Sequence, residues 1–184
     1  MTDEDVIGTI EFSVSPGLMQ WVEPCEFVHT VTGTIVAHPD MDEDIEVGEI
    51  VLRVVLAAEA IDRGEDLYDV CDVDSCLLEG IYAALFDRNG ETKKELDIEV
   101  GWNNLVLVEK VEIDSRFRQT TLGVQAIETA LAMFASQGLV VAVEDWLDLS
   151  IEQWKQLGFV RVAGTTLVFR DQLRRNLYQI RREG

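Results

Sequence analysis

The sequence predicts a mixed α/β (α+β) domain in which a central twisted sheet is flanked by helices. Three observations predict it. Val- and Thr-rich runs of strand character fill the first third. Residues 67–86 change to the three- and four-residue steps of a helix. Residues 105–135 pass from a strand through a polar turn into a strongly apolar helix. A chain of 184 residues is long enough for one good core and short for two, so a single domain over 1–184 is expected. Within it, residues 1–100 form the first half, 105–170 the second, and 171–184 a basic C-terminal helix. With 47% hydrophobic and 27% charged residues, the composition excludes a disordered or fibrous chain.

Taken in order, Val6 to Val14 alternates around Ile7, Ile10 and Phe12 and stops at Ser15-Pro16-Gly17, which predicts a first strand. Phe27 to Ala37 is rich in Val and Thr, which suit a pleated, half-buried surface, and predicts a second strand ending before an acidic loop from Asp40 to Glu46. Glu49 to Ala60 opens with a nearly continuous apolar run, as expected of a central strand covered on both faces. Val70, Val73, Leu77, Leu78, Ile81, Leu85 and Phe86 predict one amphipathic helix over 67–86, ended by Asp87-Arg88-Asn89-Gly90. After a charged connector, Leu105 to Ile113 is a strand, Ser115 to Thr121 a hydroxyl-rich loop, and Leu122 to Ala135 a helix ended at Gln137-Gly138. Leu139 to Val143 is a short buried strand and Ile151 to Leu157 a short helix with Ser150 as its N-cap. Phe159 to Arg170 makes two strands turning at Ala163-Gly164, and Asp171 to Arg182 a tail helix.

Charge is unevenly placed. Residues 1–115 carry 28 acids and 6 bases, a net −22, whereas residues 116–184 carry 7 acids and 9 bases, a net +2. The anionic part repels a nucleic-acid backbone, so nucleic acid is not expected as a partner, while the remainder, with Arg116 and Arg118 at its start, tolerates a phosphorylated small ligand. The same acidity also serves plain solubility. No apolar run approaches the roughly 20 residues of a membrane helix, and the N-terminus is acidic where a signal peptide would be basic, so a cytoplasmic protein without membrane partners is expected. Cys25, Cys71 and Cys76 have no metal spacing, His29 and His38 have no evident partner for a dyad, and no metal site is expected. Arg174, Arg175, Arg181 and Arg182 make a basic end that balances the acidic body or aids self-association, as in a homodimer.

The strand, polar loop and helix start at 105–135 is physically an anion site, because the first turn of a helix leaves backbone N–H groups unpaired at its positive end. Lys110-Val-Glu-Ile-Asp-Ser-Arg-Phe-Arg118-Gln-Thr-Thr-Leu-Gly123-Val resembles the acetyl-CoA motif of the GNAT acyltransferase superfamily, Arg/Gln-x-x-Gly-x-Gly/Ala opening a helix, with Arg118 first and Gly123 last. Downstream, Trp154-Lys-Gln-Leu-Gly158-Phe159 resembles that family's Tyr-x-x-x-Gly-Phe, and the likeness covers residues 105–170.

The resemblance implies acetyl-CoA or another acyl-CoA as cofactor. Its pyrophosphate would meet Arg118, Gln119, Thr120, Thr121, Leu122, Gly123 and Val124, and its pantetheine arm and thioester would lie along Val111 and Ile113, between two splayed parallel strands. Transfer to an amine needs a base, for which Glu109 and Glu112 are the available carboxylates, Glu109 being favoured; the plain alternative is that both are solvated strand residues. In a regular strand, residues three apart face opposite ways. Two departures stand out. Thr121 occupies the family's first glycine position, where a side chain restricts backbone conformation and close approach to phosphate. Trp154 replaces a tyrosine that protonates the departing thiolate. The implied activity is therefore acyl transfer to an amine or cationic acceptor, such as a basic protein. Its rival is a GNAT-like module without catalysis that engages a partner through its acidic surface.

Overall fold

The computed structural model describes residues 8–15, 24–40, 43–98, 103–118, 120–147 and 149–174. β1 (Gly8–Ser15), β2 (Val28–Asp40) and β3 (Glu43–Val55) form an antiparallel meander. β4 (Leu105–Ile113) is antiparallel to β3 and parallel to β5 (Leu139–Val143). β6 (Val160–Arg161) and β7 (Leu167–Asp171) complete one sheet in the order β1-β2-β3-β4-β5-β7-β6. A mixed sheet flanked by helices is the class the sequence predicts, and β3 lies inside it, as its apolar run requires.

Two helical layers cover opposite faces. On one face, α1 (Ala57–Asp62), α2 (Leu67–Asp74) and α3 (Cys76–Leu85) bury Val70, Leu78, Ile81 and Leu85 against Leu105, Leu107, Leu139 and Val141. On the other, α4 (Leu122–Phe134) and α5 (Ile151–Gln156) bury Val124, Ile127, Leu131 and Trp154 against Leu52, Val106, Val108, Val140 and Ala142. Alternate residues of β4 and β5 thus enter different cores, which is why both strands read as unbroken apolar runs.

Several boundaries differ from expectation. Pairing extends into the expected acidic loop, through Val36↔Glu46 and Ala37↔Ile45 to Asp40↔Glu43, with Val47 buried beside Ile35. The strand expected to reach Ala60 ends at Val55; Ala57 and Ala60, three apart, are buried on one side of α1 instead. The single helix over 67–86 is two, broken at Ser75, whose backbone is extended (φ −167°, ψ 149°) and whose hydroxyl caps α3 by accepting from Leu78 N at 3.3 Å. The Cys71 and Cys76 positions therefore belong to different helices. Ser150 is the predicted N-cap, within a reciprocal capping box with Gln153. The expected tail helix lies beyond the described residues from position 175 on; Asp171 closes β7, and its carboxylate accepts from Leu173 N and Arg174 N.

Candidate functional site

β4 and β5 are the only parallel neighbours among the described strands, and they pair over only four positions, from Leu105↔Leu139 to Val108↔Ala142. Beyond these β4 runs on to Ile113, while β5 ends at Val143 and turns into a short 3-10 segment at Glu144–Trp146. The strands part, and alternate backbone N–H and C=O groups of β4 face the gap instead of a neighbouring strand. A cavity of about 230 Å³ lies beside the far end of β4. Val111, Ile113, Arg118, Thr120 and Gly123, all expected cofactor contacts, line it together with Glu112, Leu149 and Gln153. The last two were not singled out from sequence, because they approach only once β5 and α5 have folded across the end of β4.

The turn between β4 and α4 is built from local bonds. Asp114 N donates to Val47 O at 2.7 Å, and the Asp114 carboxylate accepts from Arg116 N at 2.9 Å and from both Nε and Nη2 of Arg116. The Arg116 guanidinium and amide hold the Asp114 carboxyl down at about 2. Phe117 is buried against Leu122 and Ala126, which anchors the turn to the start of α4. Thr120 Oγ1 donates to Phe117 O at 2.6 Å and accepts from Leu122 N at 3.3 Å, and Arg118 Nε donates to Ile113 O at 3.3 Å, folding the guanidinium back over the end of β4. Gln119 lies outside the described residues.

Thr121 does not strain the turn. Its backbone is right-handed helical (φ −78°, ψ −2°), its side chain makes no capping bond, and its hydroxyl accepts from Gln125 Nε2 at 3.0 Å. A glycine is not needed at such a φ, which corrects the expected restriction on backbone conformation. Gly123 sits where approach matters: a Cβ there would lie 3.6 Å from Ile113 Cγ1 and 4.0 Å from Leu149 Cδ2, occupying part of the cavity. Leu122 and Val124 are buried beneath the turn, so that only their backbones can serve a ligand.

The two candidate bases fall differently. A bulge displaces the β3–β4 register between Val51↔Lys110 and Leu52↔Val108, leaving Glu109 as the extra residue. Glu109 Oε2 accepts from Arg53 Nε at 2.8 Å, and Arg53 Nη1 also reaches Asp74 at the end of α2. Glu112 is exposed, lines the cavity, and lies 3.1 Å from Lys110 Nζ, which also donates to Glu49 at 2.8 Å. Glu49 and Glu112 hold the Lys110 ammonium above the ordinary lysine range. Glu112 thus lines the cavity as a residue with its carboxylate beside Lys110, whereas Glu109 belongs to the clamp that ties α2 to the sheet.

Trp154 is buried in the α5 core, edge-to-face with Phe159 at 5.1 Å, and its indole Nε1 is buried with no hydrogen-bond partner among the described residues. Gly158 ends α5 with φ +75°, a left-handed conformation that explains the glycine of Trp154-Lys-Gln-Leu-Gly158-Phe159. His38, read from sequence as partnerless, contacts Asp44 Oδ1 through Nδ1 at 2.7 Å and Thr9 Oγ1 through Nε2 at 3.0 Å, an exposed chain across the β1–β3 meander. Pairing of β2 with β3 up to Asp40 creates that contact. Burial and Asp74 push the Cys71 thiol up to about 12. Arg174 of the basic end pairs with Asp97, while Arg175, Arg181 and Arg182 lie outside the described residues. Among the described residues, no cluster of His, Cys, Asp and Glu could hold a metal ion, and no helix is long and apolar enough to cross a membrane.

No protein-family model matches the chain, and no curated protein does. Among solved structures it is similar to a chain of the KacTA–DNA complex, at 13% identity over 84% of this chain and 74% of that one, with a TM-score of 0.45. It is also similar to a chain of AtaTR bound with AcCoA, at 12% identity over 84% of this chain and 73% of that one (TM-score 0.42). A third is AtaT complexed with acetyl-methionyl-tRNAfMet, at 13% identity over 84% and 76% (TM-score 0.43).

Proposed function

We propose that the chain is an acyltransferase that binds acetyl-CoA or another acyl-CoA in the gap between β4 and β5 and serves an amine or cationic acceptor. The observation that carries this reading is the coincidence of three features at one place. The parallel pairing stops at Val108↔Ala142, a cavity lies beside the end of β4 that runs beyond it, and the wall of that cavity includes Val111, Ile113, Arg118, Thr120 and Gly123.

The residues fit the group. The unpaired edge of β4 offers amide-like hydrogen bonds to a pantetheine arm, the small Gly123 leaves the start of α4 approachable, and Arg118 places positive charge at the same cavity. A bound acyl-CoA would supply the activated thioester. In this reading Glu112, a residue of the cavity lining, takes a proton from an ammonium acceptor, and its pairing with Lys110 steadies one of its oxygens. Trp154 has no ionisable proton to give a thiolate, so solvent at the exposed rim takes that part. The strongly anionic first part of the chain favours a cationic acceptor.

Calorimetric titration of the folded protein with acetyl-CoA tests the reading. Saturable heat with one equivalent supports it; no heat at high micromolar ligand overturns it. If acetyl-CoA binds but is never turned over against a panel of primary amines, the alternative of a GNAT-like module without catalysis is the better one. The indole of Trp154 is the feature that would favour it.

A further inference from the structure

The hairpin that follows α3 carries a reactive pair of residues that its own geometry selects. Phe86 bridges to Thr92, Asp87 N donates to Glu91 O at 2.8 Å, and Lys93 N donates to Leu85 O at 2.9 Å, so the chain reverses between Asp87 and Glu91. At the tip, Gly90 N closes the turn onto Asp87 O at 3.1 Å. The Asp87 carboxylate holds the neighbouring amides, its Oδ1 accepting from Asn89 N at 2.8 Å and from Glu91 N at 3.2 Å. Gly90 has φ +75°, a left-handed conformation that side chains disfavour, and a Cβ there would lie 3.4 Å from the Tyr82 hydroxyl. The turn therefore calls for glycine at 90, and asparagine is one of the residues that suit the position before it.

The outcome is an Asn-Gly step at an exposed loop tip. Arg88, Asn89 and Gly90 are all exposed, and the Asn89 side-chain amide makes no hydrogen bond among the described residues. Of the four asparagines in the sequence, at 89, 103, 104 and 176, only Asn89 precedes glycine. Asn103 is also tied down, its Nδ2 donating to Gln137 Oε1 at 2.8 Å. The following residue matters because its main-chain nitrogen is the nearest nucleophile to the asparagine Cγ, and a Cβ on that residue obstructs the approach.

We propose that Asn89 is a modification site, at which the chain deamidates itself through a cyclic imide. Gly90 N gives its proton to solvent base and bonds to Asn89 Cγ; the Cγ–Nδ2 bond breaks, and that nitrogen leaves as ammonia. Water then opens the ring. Attack at Cγ yields aspartate, whereas attack at the main-chain carbonyl carbon yields isoaspartate, in which the chain runs through Cβ and Cγ. The sum is a water taken up and an ammonia released, with no oxidation or reduction. The attacking nitrogen is the one that closes the turn onto Asp87 O, so the reaction proceeds from a locally opened hairpin. Either product places a new carboxylate beside Asp87 and Glu91 in a chain of net charge −20. Isoaspartate also lengthens the backbone between 89 and 90, which pulls apart the bonds that Gly90 N and Glu91 N make to Asp87. Asp87 to Gly90 form one wall of a cleft of about 720 Å³ with Tyr68 and Tyr82, and the modification reshapes that wall.

The site does not depend on acyl-CoA binding, and its test is separate. Full-length protein is held in warm, mildly alkaline buffer, sampled over time and digested for peptide mass mapping, with isoaspartate read by enzymatic methylation of its free carboxylate. The peptide containing Asn89 should gain the mass of an amide-to-acid exchange and should hold both isoaspartate and aspartate, while Asn103 and Asn104 stay intact. Asn89→Gln, whose longer side chain closes the imide ring poorly, should lose the shift while keeping the native thermal midpoint. Four results would each overturn the proposal. They are an intact Asn89 over an interval in which a peptide of residues 85–93 converts completely, earlier conversion of Asn103 or Asn104, aspartate without isoaspartate, and an undiminished shift in Asn89→Gln.

Discussion

Glu109 and Glu112, three apart in β4, have their side chains on the same face of the sheet. The bulge opposite Val51 and Leu52 inserts Glu109 as an extra residue and reverses the alternation after it. Glu109 therefore meets Arg53, which stands on the face opposite Leu52, while Lys110 pairs with both Glu49 and Glu112 on that same face. The two carboxylates nonetheless differ in task, and substitution separates them. Glu112→Gln should leave acetyl-CoA affinity within about twofold and lower kcat by about a hundredfold or more, as loss of a general base does. Glu109→Gln should act mainly on stability, by roughly 1 kcal/mol or less because the pair with Arg53 is about a third exposed, read by denaturant midpoint. A larger kcat effect at Glu109 than at Glu112 would reverse the assignment.

Gly123 and Gly48 make a second pair of contrasting tests. A Cβ on Gly123 meets its neighbours at ordinary contact distances, so Gly123→Ala should preserve or raise stability, by up to about 1 kcal/mol from helix propensity, while weakening acetyl-CoA by roughly tenfold or more. A Cβ on Gly48 would lie 2.1 Å from Glu112 O, a backbone atom that cannot step aside without parting β3 from β4. Gly48→Ala should cost about 3 kcal/mol or more, seen as a lowered thermal midpoint. Unchanged acetyl-CoA binding in Gly123→Ala would remove the first turn of α4 from the site.

Much of the second half was legible because its signals are local. The apolar run of β4, the hydroxyl-rich turn, the long α4 and the Ser150 cap each state their own structure within a few residues. Features set by distant partners were not legible. The bulge depends on register with β3, and Arg53 finds Glu109 only across 56 positions of sequence. Ser75 was readable as an N-cap in principle, but the apolar period runs through it and suggested one helix. His38 has no partner in the sequence pattern because Asp44 falls in the expected acidic loop, and only the pairing of β2 with β3 brings the two together.

Arg170 supplies a stability test remote from the cavity. It is buried at 5% exposure, forms a two-pronged pair with Glu128 (3.1 and 3.0 Å), and also donates to Leu157 O at 2.7 Å and Gln172 Oε1 at 3.1 Å. Arg170→Lys cannot reproduce the fork and should lower stability by about 2 kcal/mol, whereas Arg170→Ala should cost about 3–5 kcal/mol by stranding its partners. Chemical denaturation of both variants gives the order; equal losses would mean that geometry contributes little.

Acid titration probes the turn that precedes α4. The Asp114 carboxyl, ordinarily near 3.8, is held at about 2 by the Arg116 side chain and amide. A depressed folded value means that the contribution of Asp114 is fully present above its ordinary value and is lost as pH falls through about 2. Carboxyl-resolved NMR should show this midpoint, and Arg116→Ala should return it toward the ordinary value. If the midpoint of the native protein already sits there, the turn is not ordered by this pair.

The cysteines report on the opposite layer. Cys71 is buried in α2, where burial and Asp74 push its thiol up to about 12, whereas Cys76 is exposed at the start of α3. Only the thiolate reacts with alkylating reagents, and at pH 8 a thiol of that strength holds roughly one part in ten thousand as thiolate even before access is considered. Native protein treated with iodoacetamide should therefore be modified at Cys76 within minutes and at Cys71 only through local opening of α2 and α3. Denaturant should expose both. Peptide mass mapping distinguishes the sites, and prompt native modification of Cys71 would show that α2 is not packed against Val55, Leu105 and Leu107 as the core requires.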